Sequence, residues 1–444
     1  MKLKHNITVV FRFVVIILLL NITKVNAQSA YVAPLIPSIP DKSLSIKTYG
    51  ALGDNLTDNT KAIQAALDAA VKEGGGKVIV PAGVYLCGPL QFGNNLNLHL
   101  DSGAILRMLP IDRYPGGTKE GVSFISGTKL HDIVISGKGT IDGQGSPWWK
   151  VAKMEDMKRP RMIAFKDCDK ILIEQVTLLN SPMFHIAIGG KTTNVTVLGV
   201  TVRAPASTDP VNPSHNTDAC DVTGHNILIK DCDISVGDDN YTCGGNTSDV
   251  LITNCTYGNG HGVSIGSYTR GGVKNITVEN CTFTNTESGI RIKSDRDRGG
   301  VVENITYRNL KMTNVGIPIL IYASYKMKDK QFKNLQKVTP EIAATYPAES
   351  ITDKTPIYKN IVFKDIIATT SEGRRAGLIW GLPEAAIDNV SFQNVIITAE
   401  NPLGIFFANN VQFKDCKILT TEGKNKLALT NSTVTIDGVL QNKK

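Results

Sequence analysis

The stretch Asn275-Ile-Thr-Val-Glu-Asn-Cys-Thr-Phe283 decides the fold of this chain, because its nine-residue pattern returns many times. Apolar positions alternate with polar ones, which is the period of a strand with one buried face. Asn or Asp opens most copies, and Asn, Asp or Gly usually stands at the sixth position, where such residues favour a turn. The copies begin at Asn194, Asn226, Asp249, Asn275, Asn304, Asn360, Asn389 and Asn410, with weaker forms near Asp132 and Lys170.

The spacing of the copies predicts how they assemble. Successive copies begin at similar short intervals, and the interval from Asn304 to Asn360 is longer because it contains a long insertion. A short strand cannot bury its apolar face alone, but stacked copies enclose one continuous core. A β-propeller blade would need a repeat of roughly 40 residues or more, which is longer than most intervals here. The sequence therefore predicts an all-β, single-domain right-handed parallel β-helix with several short strands in each coil.

An open solenoid end exposes apolar core and unpaired backbone, so it needs a cap. Residues 57–71 form an amphipathic helical pattern with polar capping residues in front, and Gly74-Gly75-Gly76 follows it. We expect this helix to cover the N-terminal end. The strands Val78-Ile-Val80 and Gly83-Val-Tyr85 would then begin the first coil.

The N-terminal segment 1–27 has the pattern of a secretory signal peptide. Lys2 and Lys4 precede an apolar run from Phe11 to Leu20, and small residues surround Ala27. We expect cleavage after Ala27, a linker at 28–44 and a solenoid domain at 45–444, exported to the periplasm or the extracellular medium. The run is short for a membrane span, and an uncleaved anchor is the alternative.

The net charge does not indicate a nucleic-acid partner. Residues 1–27 contain four basic residues and no acid, so the formal charge of +8 becomes 8 − 4 = +4 without them. A small positive charge suits an anionic partner but is usually only a solubility feature. No block of Lys and Arg suggests nucleic acid, and no segment after residue 27 is apolar enough to span a membrane.

The eight cysteines mainly follow the repeat. Cys232, Cys255, Cys281 and Cys416 occupy the seventh position of the phrase, where other copies carry Val, Leu or Ile. We therefore expect free thiols in the core, with disulfides as the less favoured alternative. A Cys220–Cys243 bridge remains open. No Cys-x-x-Cys pair or His cluster has zinc spacing, so no metal or cofactor is predicted.

Aligning the segments that follow the phrases brings together polar residues from distant parts of the chain. The segments are 216–224 (NTDACDVTG), 238–245 (DDNYTCGG), 260–267 (GHGVSIGS) and 287–294 (ESGIRIKS). Their alignment gives one column of Asp218, Asp239, His261 and Ser288 and a second of Asp221, Thr242, Ser264 and Arg291, with Lys293 two residues beyond. Adjacent strands lie about 4.8 Å apart, so these groups would share one face.

The adjacent acids Asp238 and Asp239 have a chemical consequence. Neighbouring carboxylates repel, and Asp218 would lie one coil away, so at least one of the three should keep its proton near neutral or mildly acidic pH. A protonated acid beside ionised partners is suited to cleaving a glycosidic bond. Each residue alone would be an ordinary turn or surface residue, but their clustering indicates a site.

At these residues the chain resembles glycoside hydrolase family 28, the polygalacturonases and their relatives. Four motifs occur in the family's order, and the resemblance covers roughly residues 45–420: Asn216-Thr217-Asp218, Gly237-Asp238-Asp239, Gly260-His261-Gly262 and Arg291-Ile292-Lys293. Two positions depart from the family pattern. Ala219 stands where Gly is common and Asn240 where Cys is common, which affects the expected shape of the subsites more than the chemistry.

The resemblance implies an inverting hydrolase. Asp238 would be the general acid, while Asp218 and Asp239 would activate the attacking water. His261 would tune the protonation of the acid. The substrate-binding residues implied are Asn216, Arg291 and Lys293, the last two for a uronate carboxylate. Tyr325 is predicted either to line the substrate groove or to pack in the core.

The implied function is hydrolysis of α-1,4-galacturonosyl linkages in pectin or polygalacturonate by a monomeric enzyme without a cofactor. Another pectic backbone, rhamnogalacturonan or xylogalacturonan, is the first alternative. A calcium-dependent pectate lyase and a non-catalytic polysaccharide-binding β-helix are the others. Endo and exo action both remain open. The insertion from Ala323 to Thr355 would either wall off one end of the groove and favour exo action or be a solvated loop.

Overall fold

The computed structural model describes residues 31–152, 154, 156–327, 329–421 and 426–441. The predicted signal peptide at 1–27 and its cleavage site lie outside these residues. Within the described part, no helix is long and apolar enough to span a membrane.

The chain folds as a right-handed parallel β-helix, as the repeat predicted. Within the described residues, one sheet has 12 strands, all parallel. They are Leu90–Gln91, Ile125–Thr128, Ile163–Lys166, Ile186–Gly189, Cys220–Val222, Tyr241–Cys243, Val263–Ile265, Ile290–Lys293, Ile319–Tyr322, Arg375–Trp380, Asn401–Phe406 and Leu427–Thr430. This twelve-stranded sheet carries the predicted site.

The other two sides of the coils form a continuous sheet of 24 strands within the described residues. Its first half is Ser43–Ser45, Asp54–Asp58, Gly76–Val80, Gly83–Cys87, Leu96–Leu100, Ala104–Met108, His131–Gly137, Thr140–Asp142, Asp169–Glu174, Thr177–Leu179, Thr193–Leu198 and Thr201–Arg203. Its second half is His225–Lys230, Asp233–Ser235, Thr247–Thr253, Thr256–Tyr257, Val273–Thr284, Val301–Val315, Ile357–Thr370, Ile387–Thr398, Ala408–Lys414, Lys417–Leu419, Val434–Ile436 and Val439–Leu440. The last strand is antiparallel to its neighbour.

The register of the repeat is confirmed. Ile276 pairs with Ile305, and Cys281 pairs with Leu310 in the next coil. Equivalent apolar positions therefore lie over one another, and the aromatic copies stack. The ring centroid of Phe392 lies 4.7 Å from that of Phe363 on one side and 4.4 Å from that of Phe413 on the other.

The opening Asn of the phrase is a turn residue, as predicted. Asn275, Asn304 and Asn360 have φ between 56° and 58°, a left-handed conformation that Asn tolerates better than most residues. The amide of Asn304 donates to Oδ1 of Asn275 at 3.2 Å, and the amide of Asn389 donates to Oδ1 of Asn360 at 2.8 Å. These side chains therefore form a hydrogen-bonded ladder along the corner of the solenoid.

All eight cysteines are free. The expectation of buried thiols holds for Cys232, Cys255 and Cys281, whereas Cys416 is only half-buried. Cys416 lies next to the strand Lys417–Leu419, which pairs on one side only within the described residues, so less structure covers it. The open question of a Cys220–Cys243 bridge is also answered, because both thiols are free.

The predicted helix extends from Thr60 to Lys72, so it begins slightly later than its pattern. Residues 57–58 instead end the strand Asp54–Asp58, and the carboxylate of Asp58 accepts from the backbone amide of Thr60 at 3.0 Å. The buried face of the helix carries Ile63, Ala66, Leu67 and Ala70. That the helix closes the solenoid stays a prediction.

The first strand differs from the prediction. Ser43–Ser45 pairs with the strand Gly76–Val80, so the sheet begins inside the segment predicted as a linker. Ser43 and Ser45 are polar and the strand is short, which leaves little alternation to recognise. The expected strands at 78–80 and 83–85 are present.

The insertion is folded rather than a simple solvated loop. Two short helices, Lys330–Lys333 and Pro340–Ala344, lie within it. Gly117–Glu120, Ser146–Lys150 and the 3-10 helix Ile46–Tyr49 are the other short helices among the described residues.

Candidate active site

The register across the twelve-stranded sheet brings the predicted site residues together. Asp221 pairs with Thr242, Thr242 with Ser264, and Ser264 with Arg291. The backbone amide of Ala219 donates to the carbonyl of Asp239 at 2.9 Å, so Asp218 and Asp239 stand on adjacent coils. The predicted columns are therefore confirmed.

Asp239 is a buried carboxylate held by cations. Its Oδ1 accepts from Nη2 of Arg291 and from Oγ of Ser264, the latter at 2.8 Å. Nζ of Lys293 donates to its Oδ2 at 3.1 Å. Burial would raise the pKa of Asp239, but Arg291 and Lys293 outweigh it and hold the pKa below its usual value. Asp239 is therefore ionised.

His261 lies between two carboxylates. Its Nδ1 is 3.0 Å from Oδ1 of Asp238, and its Nε2 is 2.9 Å from Oε2 of Glu287. Burial opposes the charge on the imidazole, but the hydrogen bonds to Asp238 and Glu287 raise the pKa of His261 to about 9. The ring is therefore an imidazolium at neutral pH.

Asp238 is ionised in the ligand-free chain. Burial would raise its pKa, but the hydrogen bond from His261, with the charges of His261 and Arg291, lowers that pKa to about 2. Its side chain is 18% exposed, against 4% for Asp239. Asp238 is thus the more accessible of these two carboxyls.

Asp218 is the acid of the three whose pKa is raised, as the sequence predicted for one of them. Burial, followed by the charges of Asp238 and Asp239, raises its pKa well above the usual value. Its Oδ1 is buried and has no hydrogen-bond partner among the described residues. Burial therefore dominates at Asp218, whereas cationic partners outweigh burial at Asp238 and Asp239.

Asn216 donates hydrogen bonds to Asp238. Its backbone amide and its Nδ2 lie 3.2 Å and 3.4 Å from Oδ2 of Asp238. The amide is oriented by Arg159, whose Nη2 donates to Oδ1 of Asn216 at 2.8 Å. Arg159 also donates from Nη1 to the carbonyls of Pro182 and His215 at 2.9 and 2.7 Å.

Sequence reasoning missed Arg159 and Glu287. Arg159 lies outside the repeat, in the run Lys158-Arg-Pro-Arg161, and nothing in that run distinguishes it. Glu287 immediately precedes Ser288 of the aligned column. The alignment could have identified Glu287, because its neighbour in the preceding coil is Gly260, which lies next to His261 in the sequence.

Tyr325 lies on the surface and does not pack in the core. It is 43% exposed, and Nζ of Lys293 is 5.4 Å from the centroid of its ring. The ring therefore stands beside the site.

Ala219 and Asn240 lie beneath the groove. Both are fully buried, and Oδ1 of Asn240 accepts from the amide of Gly262 at 2.8 Å. These departures from the family pattern therefore join coils and do not shape the surface of the groove.

The cluster has the spacing of a cation site. Asp238, Asp239 and His261 each offer a donor atom, and these atoms lie within 4.8 Å of one another. However, Arg291 and Lys293 already neutralise Asp239, and His261 is itself cationic. A divalent ion would meet three positive charges here, which disfavours metal binding.

Two clefts lie along the twelve-stranded sheet, and the larger one includes part of the cluster. One, of about 540 Å³, is lined by Arg161, Lys166 and Asp221 on the N-terminal side. The other, of about 920 Å³, includes His261 and Arg291 and continues to the C-terminal side. Both clefts contain basic side chains.

Comparisons with known proteins agree with this arrangement. The model of glycosyl hydrolases family 28 matches residues 76–416, and a model described as rhamnogalacturonase A/epimerase, pectate lyase-like, matches residues 43–99. A curated relative is the "Probable polygalacturonase" of Arabidopsis thaliana, 34% identical over 65% of this chain and 62% of that protein. The chain thus spans less than two thirds of the length of that relative.

Two further similarities come from bacteria. The endo-polygalacturonase of Pectobacterium carotovorum is 31% identical over 77% of this chain and 85% of that protein. The solved structure of a Yersinia enterocolitica family 28 exopolygalacturonase has a TM-score of 0.73 at 20% identity, covering 90% of this chain and 78% of that one. This structural likeness concerns the fold.

Proposed function

Because the chain belongs to family 28 of the glycosyl hydrolases, as its four motifs predicted, we propose that it hydrolyses α-1,4-galacturonosyl linkages of polygalacturonate with inversion. The supporting observation is the meeting of Asp218, Asp238 and Asp239 with His261 on adjacent coils. A groove with Arg161 and Lys166 on one side and Arg291 on the other suits a polyanion.

Asp238 is the general acid, and His261 supplies its proton. Transfer from Nδ1 of His261 to the carboxylate of Asp238, 3.0 Å away, leaves a neutral imidazole and a protonated acid. Asp238 then donates this proton to the glycosidic oxygen as the bond from that oxygen to the anomeric carbon breaks. This sequence reconciles an Asp238 that is ionised in the ligand-free chain with its role as acid.

Asp239 is the base. Arg291 and Lys293 hold it ionised, so it can accept a proton from water. The oxygen of that water bonds to the anomeric carbon from the face opposite the leaving group, which inverts the configuration. The buried Oδ1 of Asp218, which lacks a described partner, offers a second hydrogen-bond contact to the water.

Arg291 and Lys293 also bind the uronate carboxylate of the substrate. A guanidinium has five N–H donors, and Arg291 directs its Nε to Ser264 and its Nη2 to Asp239. Further donors remain on a side chain that lines the larger cleft. Asn216 acts on the substrate through Asp238, and Tyr325 adjoins the sugar bound near Lys293.

Hydrolysis of a panel of pectic polymers tests the function. We expect release of reducing ends from polygalacturonate, insensitivity to chelator, and a first product that is the β-anomer by proton NMR. Activity confined to rhamnogalacturonan or xylogalacturonan would contradict the substrate. Unsaturated products that absorb in the ultraviolet would contradict hydrolysis.

The proposal includes export and a single catalytic domain. Residues 1–27 direct export, and the solenoid, predicted at 45–444 and beginning with the strand Ser43–Ser45, forms the catalytic domain, which acts as a monomer. Amino-terminal sequencing of the purified extracellular or periplasmic protein should give Gln28, and light scattering should give the mass of one chain. Retention of the segment 1–27, or a dimer mass, would contradict these statements.

A further inference from the structure

The polar columns of the twelve-stranded sheet end abruptly on the C-terminal side. Arg291 pairs with Leu320, and Leu320 pairs with Leu378. Two residues further along the same strands, Lys293 pairs with Tyr322, and Tyr322 with Trp380. The outward positions thus change from charged to large apolar side chains within one coil.

The insertion covers these apolar side chains. Leu320 and Tyr322 are each 6% exposed, and Trp380 is 1% exposed. Phe332 and Tyr346 of the insertion contact Trp380, with ring centroids 5.9 and 5.4 Å from it. A polysaccharide lying along the sheet past Arg291 therefore meets the insertion and cannot continue over the later coils.

Two arginines fix the insertion in this position. Arg375 is buried and donates to the carbonyls of Leu335 and Val338 at 2.7 and 3.1 Å. Arg296 makes a two-point contact with Glu384, at 2.7 and 3.0 Å, and a 3.1 Å contact with Glu349. Because the insertion is tied to the solenoid on both sides, it forms a fixed wall.

The larger cleft lies against this wall and contains unpaired positive charge. Lys330 and Lys333 of the insertion line it together with Arg374. Within the described part of the chain, no acid lies within ion-pair distance of any of these three side chains. The acid of the cleft, Glu287, is bound to His261. The end of the groove is therefore basic.

We propose that this end of the cleft is a carboxylate-binding site for the terminal uronate residue of the substrate, formed by Lys330, Lys333 and Arg374. This inference rests on the proposed function and specifies it. Because the wall limits how many sugar residues fit beyond the cleavage point, the enzyme acts from a chain end. Each cut then releases a product of one length.

Replacing the two lysines tests the carboxylate site. With trigalacturonate, the double variant K330A/K333A should raise KM about tenfold, as expected for the loss of two exposed charge contacts, and change kcat less than twofold. With the fully methyl-esterified trimer, KM should be the same for the variant and the parent protein. Lys337→Ala is the matched control, because Lys337 is an exposed lysine of the same insertion that does not line this cleft.

The early products of polygalacturonate test action from a chain end. Chromatography of the parent protein's digest should show one short oligomer or monomer from the first time point. A mixed ladder, or an unchanged KM for trigalacturonate in K330A/K333A, would overturn this inference and leave the proposed function intact. If the parent protein cleaves no galacturonate polymer or oligomer, the proposed function fails and this inference fails with it.

Discussion

Nδ1 of His261 lies 3.0 Å from Oδ1 of Asp238, while Nε2 of the same ring lies 2.9 Å from Glu287. One imidazolium thus joins Asp238, the more accessible carboxylate of the pair, to an acid that lines the larger cleft. The proposed mechanism uses the first contact to transfer a proton and the second to hold the ring in place.

Replacing His261 with Gln should reduce kcat strongly. Without the imidazolium, Asp238 loses its proton donor, and general acid catalysis typically contributes about 10²–10⁴ in rate. We expect kcat on polygalacturonate to fall at least about a hundredfold. A residual kcat within threefold of the parent value would mean that His261 does not supply the proton.

Replacing Glu287 with Gln should shift the pH profile without removing the activity. The hydrogen bond to Glu287 is one of the two contacts that raise the pKa of His261 to about 9. A weaker hydrogen bond at this position lowers the pKa of His261. The alkaline limb of the kcat/KM profile should therefore move to lower pH. Profiles of the parent and variant measured side by side check this, and superimposable alkaline limbs would count against a titrating His261.

The stability contributed by His261 should depend on pH. Its pKa is about 9 in the folded chain against 6.5 for the free side chain, so folding favours the protonated form. The stabilisation is complete below pH 6.5 and is lost as pH rises through about 9. The difference in unfolding free energy between the parent and His261→Gln should therefore be larger at pH 6 than at pH 10. An equal or larger difference at pH 10 would be inconsistent with this sign.

Arg159 is a positioning residue that acts through Asn216. Replacing it with Lys keeps a positive charge but removes the planar donors that contact Asn216 and the carbonyl of His215. We expect kcat to fall about tenfold with KM within twofold, because Asp238 and not the substrate loses its support. An increase in KM at constant kcat would indicate a binding role instead.

The Asn ladder should contribute to stability through both backbone and side chain. Asn360 has a φ of 56°, donates to Asn304 at 3.2 Å and accepts from Asn389 at 2.8 Å. Asn360→Ala should lose about 1–3 kcal/mol of unfolding free energy, from the strained φ and the lost hydrogen bonds. Asn360→Gly retains the backbone freedom and should lose less, as denaturant titration would show. A larger loss of unfolding free energy for Asn360→Gly than for Asn360→Ala would contradict the contribution assigned to the backbone.

The repeat made the central part of the site predictable. Strand pairing with a fixed period places equivalent residues of successive coils side by side, so aligning Tyr241, Val263 and Ile290 was enough to bring Asp239, His261 and Arg291 together. A raised pKa for one acid was also predicted from the like charges of its neighbours. Burial, which the alignment did not show, is nevertheless the larger cause of the raised pKa of Asp218.

Residues outside the repeat could not be placed by aligning successive coils. Arg159 reaches Asn216 from a loop that has no counterpart in the neighbouring coils, and the fold of the insertion depends on tertiary packing against Trp380. One signal in the sequence does mark the wall. Leu320 stands in an outward position that the four preceding coils fill with polar residues, and Tyr322 follows Lys293. A large apolar side chain in such a position requires a cover.

The substitution Asp238→Asn tests the central claim most directly. Asn keeps the shape of the side chain but cannot protonate the glycosidic oxygen, so kcat on polygalacturonate should fall by at least about a thousandfold, with the dissociation constant of a galacturonate oligomer changed less than about threefold. A variant that retains more than a tenth of the parent kcat would contradict the proposal that Asp238 is the general acid.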